Sequence, residues 1–379
     1  MTVVGSVGSS GQADVDTRGR VAPLDRPWTL DWWVGADDRW HIAAAEPAVR
    51  QTLVDSVPVV RTAMRVPGGD AVQHVYGIGS PPGTVIVEFA NESPLPFVVA
   101  LVVRDARRVA LHDAHLHLDD RPRVTLPRPP ARWAATTDHT TQARVTAGAA
   151  QPLPLTSSHD RAGRLEVACL YPLAHQARLR VAVDLGPGRT PRPVDLAAVP
   201  SPAAAAKGWS AQLQRATQVE LPDPRLAERV RAARAALLLA AAGNAIDAPT
   251  VAALEDWGFD AEATAGWGRL GWRDRRDASR RDPAPGTWDA VRAADGGAAL
   301  LLALRALLAH ESDDGTLTVL AELPPGWRGQ HVEVHRAPTR HGPLSYAVRW
   351  SLLHQHSNLR PYGLPLGNLQ TENRPFSAC

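Results

Sequence analysis

Residues 318–350 read TVLAELPPGWRGQHVEVHRAPTRHGPLSYAVRW, and this stretch decides how the chain is read. Its short apolar runs are separated by Pro/Gly turns, so it predicts a small set of strands. What precedes it has a different rhythm. Leu226, Val230, Ala233, Leu237 and Ala241 recur at three- and four-residue spacing, which places them on one face of a helix. Asp223 before Pro224 is an N-cap followed by proline at the first helical position, and Gly243 can close the other end. A second helix is expected over 250–257. A third starts at Asp260 with Ala263, Trp267 and Leu270 facing inward, a short one is capped by Thr287, and a last one covers 298–310.

Upstream the period changes to two. Segments 59–66, 71–78, 84–90 and 97–103 are valine-rich and bounded by turn signals such as Pro67-Gly68-Gly69 and Pro81-Pro82-Gly83. Segments 109–118 and 123–126 flank Asp119-Asp120-Arg121-Pro122 as a hairpin, and 165–170 and 177–185 add two more strands. Many strands with no helix between them argue for an antiparallel sandwich. The expected fold class is therefore α+β and multidomain: an N-terminal antiparallel β-sandwich, then an α-helical region closed by a small β-sheet. Boundaries follow the changes of composition. Residues 1–24 form a disordered leader, 25–185 the sandwich, 186–219 a Pro/Ala-rich linker, 220–312 the helical region, 313–350 the closing β segment and 351–379 an irregular tail.

Composition limits the function classes. The 379 residues are 44% hydrophobic with a net charge of +2, and Lys207 is the single lysine. The run 273–281 mixes five arginines with Asp274 and Asp277, the pattern of a solvated helix face. No nucleic-acid partner is expected. The longest apolar run, 298–309, is interrupted by Arg305 and is short of the roughly 20 residues a bilayer span needs, so no membrane partner is expected either. Cys169 and Cys379 cannot build a disulfide framework. With no signal-peptide pattern at the start, a cytoplasmic location is the default.

Leu320, Leu323, Pro324, Trp327, Gly329 and Trp350 occupy the positions where several (α/α)6 glycosidases place a Leu-Pro strand end, a Trp-Gly turn and a closing aromatic. The order of sandwich, linker, helices and closing strands resembles the six-hairpin glycosidase-like superfamily, with its glucoamylase-like and fucosidase-like architectures. DRPWTLDWWVGADDRW (25–40) and VAALEDWGFDAEA (251–263) also look like segments of actinobacterial proteins of this build. The resemblance implies a partial α/α toroid, a role in carbohydrate metabolism and an oligosaccharide partner. A twelve-helix double ring needs on the order of 200 residues, whereas 220–312 spans 93, room for four or five helices. The resemblance thus implies a hydrolase, a shortened relative that binds or scaffolds without cleaving, or a truncated product lacking a complete active site.

Inverting glycosidases use two carboxylates, one protonated and one activating water. Glu255 or Asp256, beside Trp257, is the candidate for one of them, and no second acid can be paired with either from sequence. The competing reading is a surface turn with Asp260 capping the next helix and Glu262 complementing its dipole. Trp257, Trp32 and Trp33 are candidate sugar-stacking rings, set against simple core packing. His112, His115 and His117 offer two ligands on one strand face. His331 and His335 are four residues apart on a strand, a gap of roughly 13 Å. Neither set makes a metal site, and no dinucleotide or phosphate loop occurs in strand–helix context, so no metal and no cofactor are expected.

Overall fold

The computed structural model describes the chain except residues 120, 153–156, 161, 163, 187, 189–191, 244–245, 275–284, 351–356 and 363–379, with backbone alone at 122, 157–159 and 357–362. The chain divides into two compact units, Met1–Gly208 and Trp209–Cys379.

The first unit holds two nine-stranded antiparallel sheets. One runs in the order Thr2–Val4, Ala13–Val15, Val21–Pro23, Thr29–Gly35, Phe97–Ala106, Leu165–Leu173, Arg132–Thr136, Gln151–Pro152, with Trp40–Ile42 paired to Thr29–Gly35. The other runs Ser157–His159, Arg108–His112, His115–Leu118, Arg121–Thr125, Arg178–Asp184, Thr84–Asn91, Gly69–Ile78, Val59–Val66, Val49–Leu53. Alternation explains which residue goes where. On Leu165–Leu173, Leu165, Val167, Cys169 and Tyr171 enter the core between the sheets, while Ala168 and Leu170 join a second cluster on the outer face. Thr29–Gly35 does the same, with Leu30, Trp32 and Val34 inside and Trp33 outside. A short helix, α1 (Thr141–Thr146), supplies Val145 to the outer cluster, so that face of the sheet is covered too.

Residues 1–24 are not a disordered leader. Three of the strands lie there, and Val4, Ala13, Val15 and Val21 are fully buried in the sandwich core. The segment is Gly/Ser-rich, so its strands are only three residues long and give too little periodicity to detect. Its docking also accounts for Gly77: a Cβ there would sit 2.0 Å from the Gly5 carbonyl oxygen. The segment expected as one strand over 109–118 folds back on itself, because Asp113 takes a positive φ of 52° and turns the chain.

The expected linker over 186–219 contains α2 (Pro202–Leu213) and the strand Gln218–Glu220. Proline at the helix start followed by four alanines is a strong helix signal. In the second unit α3 (Pro224–Ala242), α4 (Ala248–Asp256), α5 (Asp260–Arg269), α6 (Trp288–Ala293) and α7 (Gly297–Leu308) follow. Asp223 caps α3 by accepting from the Arg225 and Leu226 amides, and Thr287 caps α6 by accepting from Ala290. Among the described residues α3 packs on α7 and α4, and α4 packs on α5 and α7. No described helix is long and apolar enough to cross a membrane.

The closing segment forms a four-stranded sheet, in the order Gln218–Glu220, Val332–Ala337, Leu344–Trp350, Ser357–Tyr362. Trp327 is buried. The tail is therefore not wholly irregular, since Ser357–Tyr362 pairs over its whole length with Ser345–Trp350. The rest of 351–379 and most of the 273–281 arginine run lie outside the described residues.

Candidate functional site

The stretch nominated for catalysis is the end of α4. Gly258 adopts φ +80°, the Phe259 amide donates to the Leu254 carbonyl and the Gly258 amide donates to Glu255. These two bonds are a Schellman closure, and the buried pair Leu254 and Phe259 supplies its apolar contact. The closure sends Trp257 inward. Its Nε1 donates to the Leu301 carbonyl on α7 at 2.9 Å, and the ring is 1% exposed.

Glu255 and Asp256 diverge from it. Glu255 stands exposed and accepts from Trp267 Nε1 at 2.9 Å, whereas a general acid works from an enclosed setting. Asp256 is half-buried and offers its backbone carbonyl to Arg305 Nε at 3.2 Å. Asp260 is not the cap of α5. Phe259 occupies that position and Asp260 begins the helix. Glu262 pairs with Arg215 at 2.6 Å.

Arg234, on α3, is the residue sequence reasoning missed here. Its guanidinium carbon lies 5.4 Å from the Trp257 ring centroid and 5.7 Å from that of Phe259, and Nη2 donates to the Leu213 carbonyl at 2.6 Å. Burial, helped by Arg231 and Arg336 nearby, pushes its pKa down to about 10. Its spacing of four residues from Val230 and three from Leu237 places it on the apolar face, which is the signal that could have found it.

Trp32 and Trp33 point to opposite faces of their strand. Trp32 is in the sandwich core, tilted against Phe89 at 5.8 Å, with Nε1 donating to the Arg18 carbonyl at 3.0 Å. Trp33 lies on the outer face beneath Arg104, whose guanidinium carbon is 5.6 Å from the ring. All three nominated tryptophans are enclosed, so in this conformation none presents a ring face that a sugar can reach.

Around Arg104 the structure assembles a pair of buried acids that sequence alone did not bring together. Asp31, one pleat from Trp33, meets Arg104 Nε at 3.3 Å, and Glu166, from the strand on the other side, meets Nη1. Burial holds the Asp31 carboxyl above its ordinary range, against the pull of Arg104. The arrangement is a neutralising clamp: both acids are engaged by one guanidinium. The second sheet repeats the device on its outer face with opposite charges, where fully buried Glu88 accepts from Arg178 at 2.8 Å and Arg180 at 2.5 Å.

The histidines also differ from their expected layout. The Asp113 turn puts His112 opposite His115, so His112, His115 and His117 share one face and the rings of His112 and His117 meet at 4.6 Å. His331 and His335 converge rather than diverge. Their Nε2 atoms lie 2.9 and 3.0 Å from the two carboxylate oxygens of Glu333, which sits between them on the same face.

No family model and no curated protein matches the sequence. Among solved structures the chain is similar to a family GH92 alpha-mannosidase from Bacteroides thetaiotaomicron, with a TM-score of 0.34 and 11% identity. That similarity covers 64% of this chain and 39% of the mannosidase.

Proposed function

We propose that this chain is a carbohydrate-related protein of glycosidase-like ancestry that binds or scaffolds rather than hydrolyses. One observation carries the reading. Where an α/α toroid would keep an open cleft between helix ends, the described helices close on Trp257, Phe259 and Arg234. The two nominated carboxylates lie outside that centre, one on the surface and one at the end of α4 beside Arg305.

A binding role needs an aromatic that is still accessible. Trp272 is 66% exposed, with the Arg273 guanidinium 5.4 Å from its ring. An indole flanked by a hydrogen-bond donor suits the C–H face and hydroxyls of a sugar. The test is a panel of oligosaccharides assayed for both turnover and binding. The expected result is saturable binding that Trp272→Ala weakens at least tenfold, with no turnover. Turnover that disappears in Glu255→Gln or Asp256→Asn would instead establish a two-carboxylate hydrolase.

A further inference from the structure

The outer face of the closing sheet carries a constellation that neither the core nor the proposed carbohydrate role uses. His331, Glu333 and His335 alternate with Val332 and Val334, which are buried. The valines turn to the core and the three polar side chains turn away from it. In the neighbouring edge strand Glu220 pairs in register with Glu333. Two carboxylates placed directly opposite each other on adjacent strands repel, so this register is unfavourable unless a cation lies between them.

We propose that Glu220, His331 and Glu333 bind a divalent transition-metal ion of the zinc class, with His335 as the positioning residue. One ligand oxygen or nitrogen from each of the three lies within 4.8 Å of the others. His331 Nε2 is 2.9 Å from Glu333 Oε1 and 3.9 Å from Glu220 Oε2. Donors bound tetrahedrally at about 2.0–2.1 Å stand about 3.3 Å apart, so these separations straddle the required one. Rotations of half-exposed side chains are enough to close the difference.

One imidazole and two carboxylates leave a fourth position for water, and imidazole with carboxylate selects zinc-class ions over magnesium. His335 holds the second Glu333 oxygen at 3.0 Å, the outer contact that orients a ligating carboxylate. Among the described residues, Arg349, 3.4 Å from Glu333 Oε1 and largely exposed, is the arginine that would swing aside. Such an ion would tie the strand entering α3 to the closing sheet.

Equilibrium dialysis of the full chain against Zn²⁺, Co²⁺ and Mg²⁺ tests this. The expected result is one Zn²⁺ or Co²⁺ per chain, a visible absorption band typical of four-coordinate cobalt, and no Mg²⁺. Glu220→Gln and His331→Ala should abolish binding, and His335→Ala should weaken it 10–100-fold. His112→Ala with His117→Ala should leave it intact. Circular dichroism of each variant separates a lost ligand from a lost fold. Absence of saturable binding, or binding that survives His331→Ala and vanishes with the His112 and His117 changes, would overturn the assignment.

Discussion

Each unit packs an arginine against a tryptophan, Arg104 half-buried and Arg234 buried, and they neutralise it in different ways. Arg104 lies over Trp33 with Asp31 and Glu166 on its nitrogens, so its charge is matched by carboxylates. Arg234 lies over Trp257 and Phe259 with a backbone carbonyl as its hydrogen-bond acceptor, and its lowered pKa records the cost of that burial. The sheet can supply acids because neighbouring strands put side chains side by side on a common face. A helix bundle offers ring faces and helix-end carbonyls instead. An arginine packed among ring faces keeps its desolvation penalty, whereas an arginine between carboxylates offsets it.

The largest test of this contrast is Trp257→Ala. It removes a ring that fills the helical centre and strands the Leu301 carbonyl, so a loss of about 3–5 kcal/mol is expected in urea denaturation followed by circular dichroism. A loss below about 1 kcal/mol would mean that the centre can collapse, and that the filled centre is not what holds these helices.

Arg104→Met against Arg234→Met breaks the comparison most directly. Removing Arg104 leaves Glu166 and Asp31 buried without their cation, a cost of about 3 kcal/mol. Removing Arg234 loses a hydrogen bond and ring contacts but also deletes a desolvated charge. Burial already pushes that charge's pKa down to about 10, so its removal relieves a penalty and the net change should stay within about 1 kcal/mol. If the order of the two variants reverses in the same denaturation experiment, the two burials are not solved differently.

Acid sharpens the contrast, because the sandwich unit holds a further buried group, His74, which burial pushes down to about 4. The unfolded chain takes up this proton near 6.5 and the folded chain does not, so stability is full above 6.5 and falls as pH drops toward 4. About 2 kcal/mol should be lost by pH 5, and His74→Gln should flatten that slope. Asp31 titrates with the opposite sense. Its raised pKa favours the fold below 3.8, an advantage lost as pH rises through the folded value, so Asp31→Asn removes a slope at lower pH.

The smallest effect is local. Asp223→Ala deletes the α3 cap and should cost about 1 kcal/mol in thermal unfolding. A much larger loss would show that this carboxylate is tied into the unit beyond its own helix.

The strands expected at 59–66 and 97–103, the α3 cap at Asp223 and the α6 cap at Thr287 were legible because each is written in adjacent residues. The first 24 residues were not, since strands of three residues carry no measurable period. The histidine geometry was missed for a related reason. Parity along one strand reverses at the Asp113 turn, and a strand distance between His331 and His335 says nothing of a Glu333 placed to meet both.

By itself the sequence determined the two-residue period of the upstream strands, the helical stripe from Leu226 to Ala241 and the caps at Asp223 and Thr287, because these depend on neighbours within a few positions. The helical period itself begins earlier than position 220, with α2 at Pro202–Leu213. Only tertiary structure decided that Asp31, Arg104 and Glu166 share a clamp, that Trp257 turns inward onto Arg234, and that Glu220 faces Glu333. Those meetings depend on strand register and helix packing between residues far apart in the chain, where side-chain partners are chosen by burial and charge together.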